Sequence, residues 1–333
     1  MSTIQQNWRK MRQQAGRWLI GRGVRTLATV ARFSPAGNFS RHGIRVVRDV
    51  CYRNDRHTEA RLDIYQPQHL SAPFPVVLYL HGGGFQMLSK DTHWIMGRLF
   101  AEKGFLVANV DYRLAPKHPF PAALEDSARA YAWLVDHAAA FGGDSDRLVL
   151  AGESAGANLA TALTLAACFR RDEPCAKMVW DCDVVPRAVL PTCGYLQVSD
   201  PGRFRRSDRR FSFFVHDRLT LVSEDYLGPR AANPDHDSLA DPLLVLEGTN
   251  PATRSLPPFF AAVGSRDPLL DDTLRLARAM ERRGVRCDLR CYEGSHHAFS
   301  AFIWSRNAKR FWRDAFAFLD TVVPHAFAYR EVC

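Results

Sequence analysis

The chain has 333 residues, of which 47% are hydrophobic and 24% charged, a composition that excludes a mostly disordered chain, a collagen-like repeat and a small disulfide scaffold. No run approaches the roughly 18–20 consecutive apolar residues that a membrane-spanning helix requires. The formal net charge of +9 is unevenly held: residues 1–48 carry ten Lys and Arg and no Asp or Glu, so the remainder is close to neutral and the basic balance describes an N-terminal arm.

Past that arm, apolar runs alternate with amphipathic stretches. Val46–Tyr52 and Ala60–Tyr65 read as two early strands and Pro75–Leu80 as a buried one. A helix over Thr92–Lys103, a strand over Phe105–Val110 and a long helix over Ala122–Ala139 follow, closed by Gly142-Gly143. Next come the strand Arg147–Ala151, the helix Ala155–Ala167 and the strand Arg187–Pro191. Between Gly194 and Leu256 the rhythm is lost, and Arg203, Arg205, Arg206, Arg209 and Arg210 crowd one stretch, read as a solvated face. The strand Phe259–Val263, the helix Asp272–Arg283, the strand Val285–Tyr292 and a helix near Asn307–Val322 complete the series. Such alternation implies βαβ units and a mostly parallel sheet covered on both faces. The irregular interval then falls over the C-terminal edge of that sheet, where open α/β folds bind ligands.

The eight cysteines form no CxxC pair and no zinc spacing, so reduced thiols and a cytoplasmic setting are expected, with no metal. The arm carries no secretory leader pattern and reads as solvated and partly helical. Contact with an anionic membrane surface is its functional alternative. Zinc-finger and RNA-binding signatures are missing, so no nucleic-acid partner is expected.

Gly152-Glu153-Ser154-Ala155-Gly156 follows an apolar strand and opens a helix, the context of a nucleophile elbow. A serine on so tight a turn needs strained dihedrals, and the flanking glycines relieve the crowding. His81-Gly82-Gly83-Gly84-Phe85, directly after a buried strand, is the rarer signal. Three glycines let main-chain N–H groups face a developing oxyanion; a phosphate loop fits poorly, because no Gly-Lys-Ser/Thr follows. A serine nucleophile needs a base, and the base an orienting acid. The loop after Val285–Tyr292 offers two histidines, His296 and His297. Asp-Pro-Leu-Leu occurs at Asp241 and at Asp267; Asp267 stands just past a buried strand, where a triad acid belongs, whereas Asp241 has no strand before it. Asp271 and Asp272 read as caps of the following helix.

These segments, with Asp111-Tyr112-Arg113-Leu114-Ala115-Pro116 and His118-Pro119-Phe120-Pro121, occur in an order that resembles the hormone-sensitive-lipase-like family of bacterial carboxylesterases over roughly residues 75–300. The resemblance implies an α/β-hydrolase fold with a mostly parallel central sheet, helices on both faces and a helical cap. It implies Ser154 as nucleophile, Asp267 as acid and His297, rather than His296, as base, with the amides of Gly83, Gly84 and Ala155 holding the oxyanion and no cofactor. Asp111–Pro116 would support the site without taking part in chemistry. The expected organisation is an arm and cap part over 1–45, a first core part over 46–194, a cap insertion over 195–255 and a second core part over 256–333. Glu153 stands where the family often has Asp or Thr, and Lys117 replaces a common Glu.

The expected activity is cofactor-free hydrolysis of short- to medium-chain acyl esters through an acyl-enzyme. An amidase, deacetylase or lactonase with the same triad is the alternative, and a non-catalytic binding protein on this fold the rival from another class. The expected partner is a small-molecule ester, with a homodimer as a further candidate. Phe33, Phe39, Phe85, Phe204, Phe211, Phe213 and Phe214 are candidates for an aromatic pocket, with plain packing the simpler account. Activity is expected to fade below about pH 6.5–7 as the base becomes charged.

Overall fold

A computed structural model describes residues 16, 19, 21–53, 60–206, 211–232 and 238–323. Its eight strands are β1 (Ile44–Cys51), β2 (Arg61–Pro67), β3 (Phe74–Leu80), β4 (Leu106–Val110), β5 (Gly143–Glu153), β6 (Ala188–Thr192), β7 (Phe259–Gly264) and β8 (Cys287–Tyr292). They form one sheet in the order β1-β2-β4-β3-β5-β6-β7-β8. β2 runs antiparallel to both neighbours, and all pairs from β4 to β8 are parallel. The chain leaves β3 in one direction to make β4, then returns to place β5 on the other side of β3. The strand order therefore reverses between β3 and β5, the kind of switch point where open sheets bind ligands.

Both faces of the sheet are buried, which is why its central strands read as continuous apolar runs. Val76, Leu78 and Leu80 of β3 enter one core, with Leu148 and Leu150 of β5. Val77 and Tyr79, with Val149 and Ala151, enter the other. The first core is covered by α3 (Ala122–His137), α4 (Ala155–Cys168), α5 (Pro174–Asp181), α8 (Pro242–Glu247) and α9 (Leu270–Arg282). α4 is buried on every side, and its many alanines let it lie close to β5 and β6. The second core is covered by α2 (Trp94–Glu102) and α10 (Arg306–Val322). α10 buries Ala308, Phe311, Trp312, Ala315, Phe318 and Leu319 at helical spacing.

The helix α1, at residues 21–32, docks on the second core: Trp94 Nε1 donates to Ala28 O at 3.1 Å, and Phe39 meets Tyr65 and Trp94 edge-on. The arm residues 1–15, 17, 18 and 20 lie outside the described residues.

The structure departs from the sequence expectations in several places. β5 begins at Gly143, four residues early, because Gly142 turns the chain at φ +77° and lets Phe74 pair with Gly143. The interval after Gly194 is more regular than its composition suggests, carrying α6 (Arg203–Arg206), α7 (Phe213–Leu227) and α8. Arg203 is no solvated residue: its Nη2 donates to both carboxylate oxygens of fully buried Asp272, each at 2.8 Å. Arg205 is exposed and Arg206 pairs with exposed Asp200, while Arg209 and Arg210 lie outside the described residues. Asp272 does not cap its own helix; it accepts from the amides of Leu196 and Gln197 at 2.9 and 3.2 Å. Among the phenylalanines, Phe85 and Phe204 are packing residues, and Phe33, Phe213 and Phe214 are exposed. No disulfide joins the seven described cysteines to one another, and no helix among the described residues is long and apolar enough to cross a membrane.

Candidate active site

Five neighbouring strands end at one place, and each delivers one part. In sheet order, β3 leads into His81–Phe85, β5 into Ser154, β6 into Cys193, β7 into Asp267 and β8 into His297. Residues up to 216 positions apart in the chain are thereby brought side by side by parallel register alone.

Ser154 sits between β5 and α4 at φ +57°, ψ −113°, a conformation costly for a residue with a side chain. Its amide donates to Thr192 O at 2.9 Å, which fixes the turn to β6. The flanking glycines are obligatory. A Cβ on Gly156 would stand 1.9 Å from Leu80 O, and one on Gly152 would stand 2.4 Å from the Gly156 carbonyl. The serine hydroxyl lies 3.0 Å from His297 Nε2, and His297 Nδ1 lies 2.9 and 3.1 Å from the two oxygens of Asp267. The Nδ1–H therefore points at the carboxylate, leaving Nε2 free to accept the serine proton. Asp267 is wholly buried and also accepts from the Leu269 amide at 2.8 Å.

The electrostatics follow from that burial. Burial alone would raise Asp267, but the neighbouring imidazole charge and the donors aimed at its oxygens hold it below the ordinary carboxylate range. Burial alone would lower His297; the Asp267 charge outweighs it, Glu153 adds to the effect, and the imidazole is pushed up to about 9. The site thus favours the protonated form of the imidazole.

The glycine loop lies directly over the nucleophile. A Cβ on Gly82 would be 3.6 Å from Ser154 Cβ. Gly83 and Gly84 have φ of +116° and +60°, and a Cβ on Gly83 would stand 2.0 Å from Met87 O. Among the described residues, no backbone hydrogen bond outside the regular elements uses the amides of Gly83, Gly84 or Ala155 as donors. Asp111–Pro116 braces the loop from behind: Tyr112 stacks on His81 and donates to its carbonyl at 2.7 Å, and the Ala115 amide donates to Phe85 O at 2.8 Å. His81 itself is buried, and burial with neighbouring His93 pushes it down to about 3. Its Nδ1–H is committed to Gly82 O at 2.7 Å.

α7 of the interval covers the loop. Val222 lies against Gly84, Phe85 stacks on Tyr226, and the Gln86 side-chain Nε2 donates to Leu221 O and to Asp225 Oδ2 at 3.2 and 3.0 Å. The two alternatives left by the sequence fall elsewhere: His296 is exposed, and Asp241 is a buried anchor for the Ser199 amide at 3.1 Å. Two groups were not legible as site residues. Glu153 is buried beside the nucleophile and accepts from Ser300 at 3.0 Å in the loop that follows His297, so it ties the serine turn to the histidine loop. Cys193 is buried beside Asp267. Among the described residues, Cys193, Asp267 and His297 form the one cluster with metal-ligand spacing, their atoms within 4.8 Å of one another, and each is engaged with another member.

Comparison with known proteins gives the family. A family model described as α/β hydrolase fold matches residues 77–301. The chain is 31% identical over 239 residues to carboxylesterase NlhH of Mycobacterium tuberculosis, covering 71% of this chain and 69% of that protein. It is 30% identical over 239 residues to an acetyl esterase of Salmonella schwarzengrund, with 71% and 68% covered. The solved structure of esterase LipW from Mycobacterium marinum superposes with a TM-score of 0.72 at 26% identity, covering 91% of this chain and 90% of that one. The chain belongs to the α/β hydrolase fold family, within its hormone-sensitive-lipase-like carboxylesterase branch.

Proposed function

We propose that this chain is a serine carboxylesterase acting on short- to medium-chain acyl esters. The observation that carries the reading is the unbroken hydrogen-bond relay from the Ser154 hydroxyl through His297 to buried Asp267. His297 Nε2 takes the serine proton as Oγ attacks the ester carbonyl. The tetrahedral oxyanion settles on the amides of Gly83, Gly84 and Ala155, each such donor being worth roughly 3–4 kcal/mol in comparable sites. His297 then gives its proton to the departing alcohol. Water, deprotonated by the same imidazole, releases the acid and restores the serine. Every step uses side chains and amides of this chain and none needs a cofactor. The esterase names of the relatives support an ester substrate. In the same reading, residues before 45 and the 195–255 insertion form the cap, and the absence of CxxC pairs suits a reducing cytoplasm.

The test is a series of p-nitrophenyl esters of increasing acyl length, with the corresponding butyryl anilide alongside. Turnover should peak at short to medium chains and be far slower on the anilide. Preferential cleavage of the anilide would move the assignment to an amidase.

A second reading concerns the arm. On α1 and just beyond it, Leu27, Val30 and Phe33 are 70%, 65% and 88% exposed, with Arg22 and Arg25 also exposed on the same short segment. Apolar side chains flanked by arginines, on a segment whose own sequence carries no Asp or Glu, suit an anionic membrane surface. Two arms of like charge repel, which disfavours a dimer through this face. Phosphatidylglycerol vesicles should sediment the protein and phosphatidylcholine vesicles should not, and Leu27→Glu with Val30→Glu should abolish binding. Equal sedimentation of that variant would refute the contact.

A further inference from the structure

We propose that Cys193 is a positioning residue of the active site, its thiol holding the Asp267 carboxylate in the plane that faces His297. This assignment rests on the hydrolase reading above. Cys193 follows β6 at φ +50°, an uncommon conformation for a residue with a side chain. Its amide donates to Ala262 O of β7 at 2.8 Å, and the preceding Thr192 carbonyl receives the amide of Ser154. The residue is thus fixed between the strand that carries the nucleophile and the strand that carries the acid. That strained turn aims Sγ under the acid: Sγ, a carboxylate oxygen of Asp267 and a ring nitrogen of His297 lie within 4.8 Å of one another, and no part of Cys193 reaches solvent.

The sulfur is engaged on two sides. It faces the Asp267 carboxylate, within 4.8 Å, on one side and the amide of Ala298, the residue after the base, on the other. Burial and the charges of Asp267 and Glu153 push the thiol well above its ordinary value, so it keeps its proton and acts as donor to the carboxylate. One sulfur therefore links acid and histidine loop. Asp267 already accepts from His297 and the Leu269 amide, and the thiol adds a donor from the β6 side. The thiol draws part of the negative charge away from the imidazole and removes the freedom of the carboxyl group to rotate. A buried cysteine used only as a small apolar side chain needs none of this.

The experiment compares Cys193→Ser, which keeps a donor, with Cys193→Ala, which removes it; Cys193→Val, which fills the space without a donor, replaces the Ala variant should that one not fold. The readouts are kcat, KM and the pH profile of kcat/KM on p-nitrophenyl butyrate, with thermal unfolding as the control for folding. The donor-free variant should lose about tenfold in kcat, the scale of one hydrogen bond, with KM little changed. Its acid limb should move up by about half a pH unit as the undiluted carboxylate holds the imidazolium more tightly. The Ser variant should restore both. A donor-free variant with the wild-type limb and kcat, or a Ser variant no better than it, overturns the assignment. A wild-type protein inert towards all esters instead overturns the hydrolase reading, and Cys193 with it.

Discussion

The backbone at Ser154 gives a test that is independent of chemistry. Its φ of +57° with ψ −113° is a conformation that glycine adopts freely and alanine does not. The turn cannot relax: the Ser154 amide is held by Thr192 O, and its carbonyl accepts from the amides of Asn158 at 3.2 Å and Tyr195 at 3.3 Å. Strain of this kind costs about 1–3 kcal/mol, and Ser154→Ala retains it while losing the hydroxyl. Ser154→Gly loses the same hydroxyl and the strain together, at a backbone-entropy cost of about 0.5–1 kcal/mol. The glycine variant should therefore be the more stable by about 1 kcal/mol, reversing the usual order of alanine over glycine at a helix. For a chain of this length the unfolding entropy is about 0.7 kcal/mol per degree, so the gap in Tm is about 1–2 °C by calorimetry. Both variants should be inactive, which removes turnover as a confounder. An alanine variant as stable as the glycine variant would show that the elbow is not strained, and the reasoning from dihedral to nucleophile would fail.

The acid limb of kcat/KM should lie above that of a free imidazole, toward 9, because Asp267 holds the proton on His297. In Asp267→Asn that charge is gone and burial is opposed only by the weaker effect of Glu153, so the limb should fall well below the wild-type one while kcat drops by orders of magnitude; an unmoved limb would contradict the pairing. Gly83→Ala places a Cβ 2.0 Å from Met87 O and should cost roughly 10²–10³ in kcat through the displaced amides; near wild-type turnover would remove this loop from the oxyanion site. Arg203→Met leaves the fully buried Asp272 without its cation. It should cost about 3 kcal/mol, a fall of about 4 °C in Tm, and an unchanged Tm would show the pair to be dispensable.

The sequence made the nucleophile turn and the glycine loop legible because both rest on local backbone geometry: glycines where a Cβ would collide, next to strands that are apolar on both faces. Asp267 was legible from its place at a strand end, and the choice of His297 over His296 came from the motif around it. Arg203 and Asp272 were misread for one reason. Their charges are satisfied by residues 69 positions apart and by the amides of Leu196 and Gln197, and nothing local announces that burial. α7 was hidden because it turns no uniformly apolar face to the core. It buries Leu219, Val222 and Tyr226 with Asp217 and Ser223. Cys193 and Glu153 acquire meaning only when β6 and the histidine loop close around Asp267 and Ser154.

The central claim is tested most directly by covalent labelling with a fluorophosphonate, read by intact mass and peptide mapping. The account predicts one adduct per chain, on Ser154, formed by the wild type, lost in Ser154→Ala and slowed by orders of magnitude in His297→Ala. An adduct on another serine, or labelling of the His297→Ala variant at the wild-type rate, would contradict it.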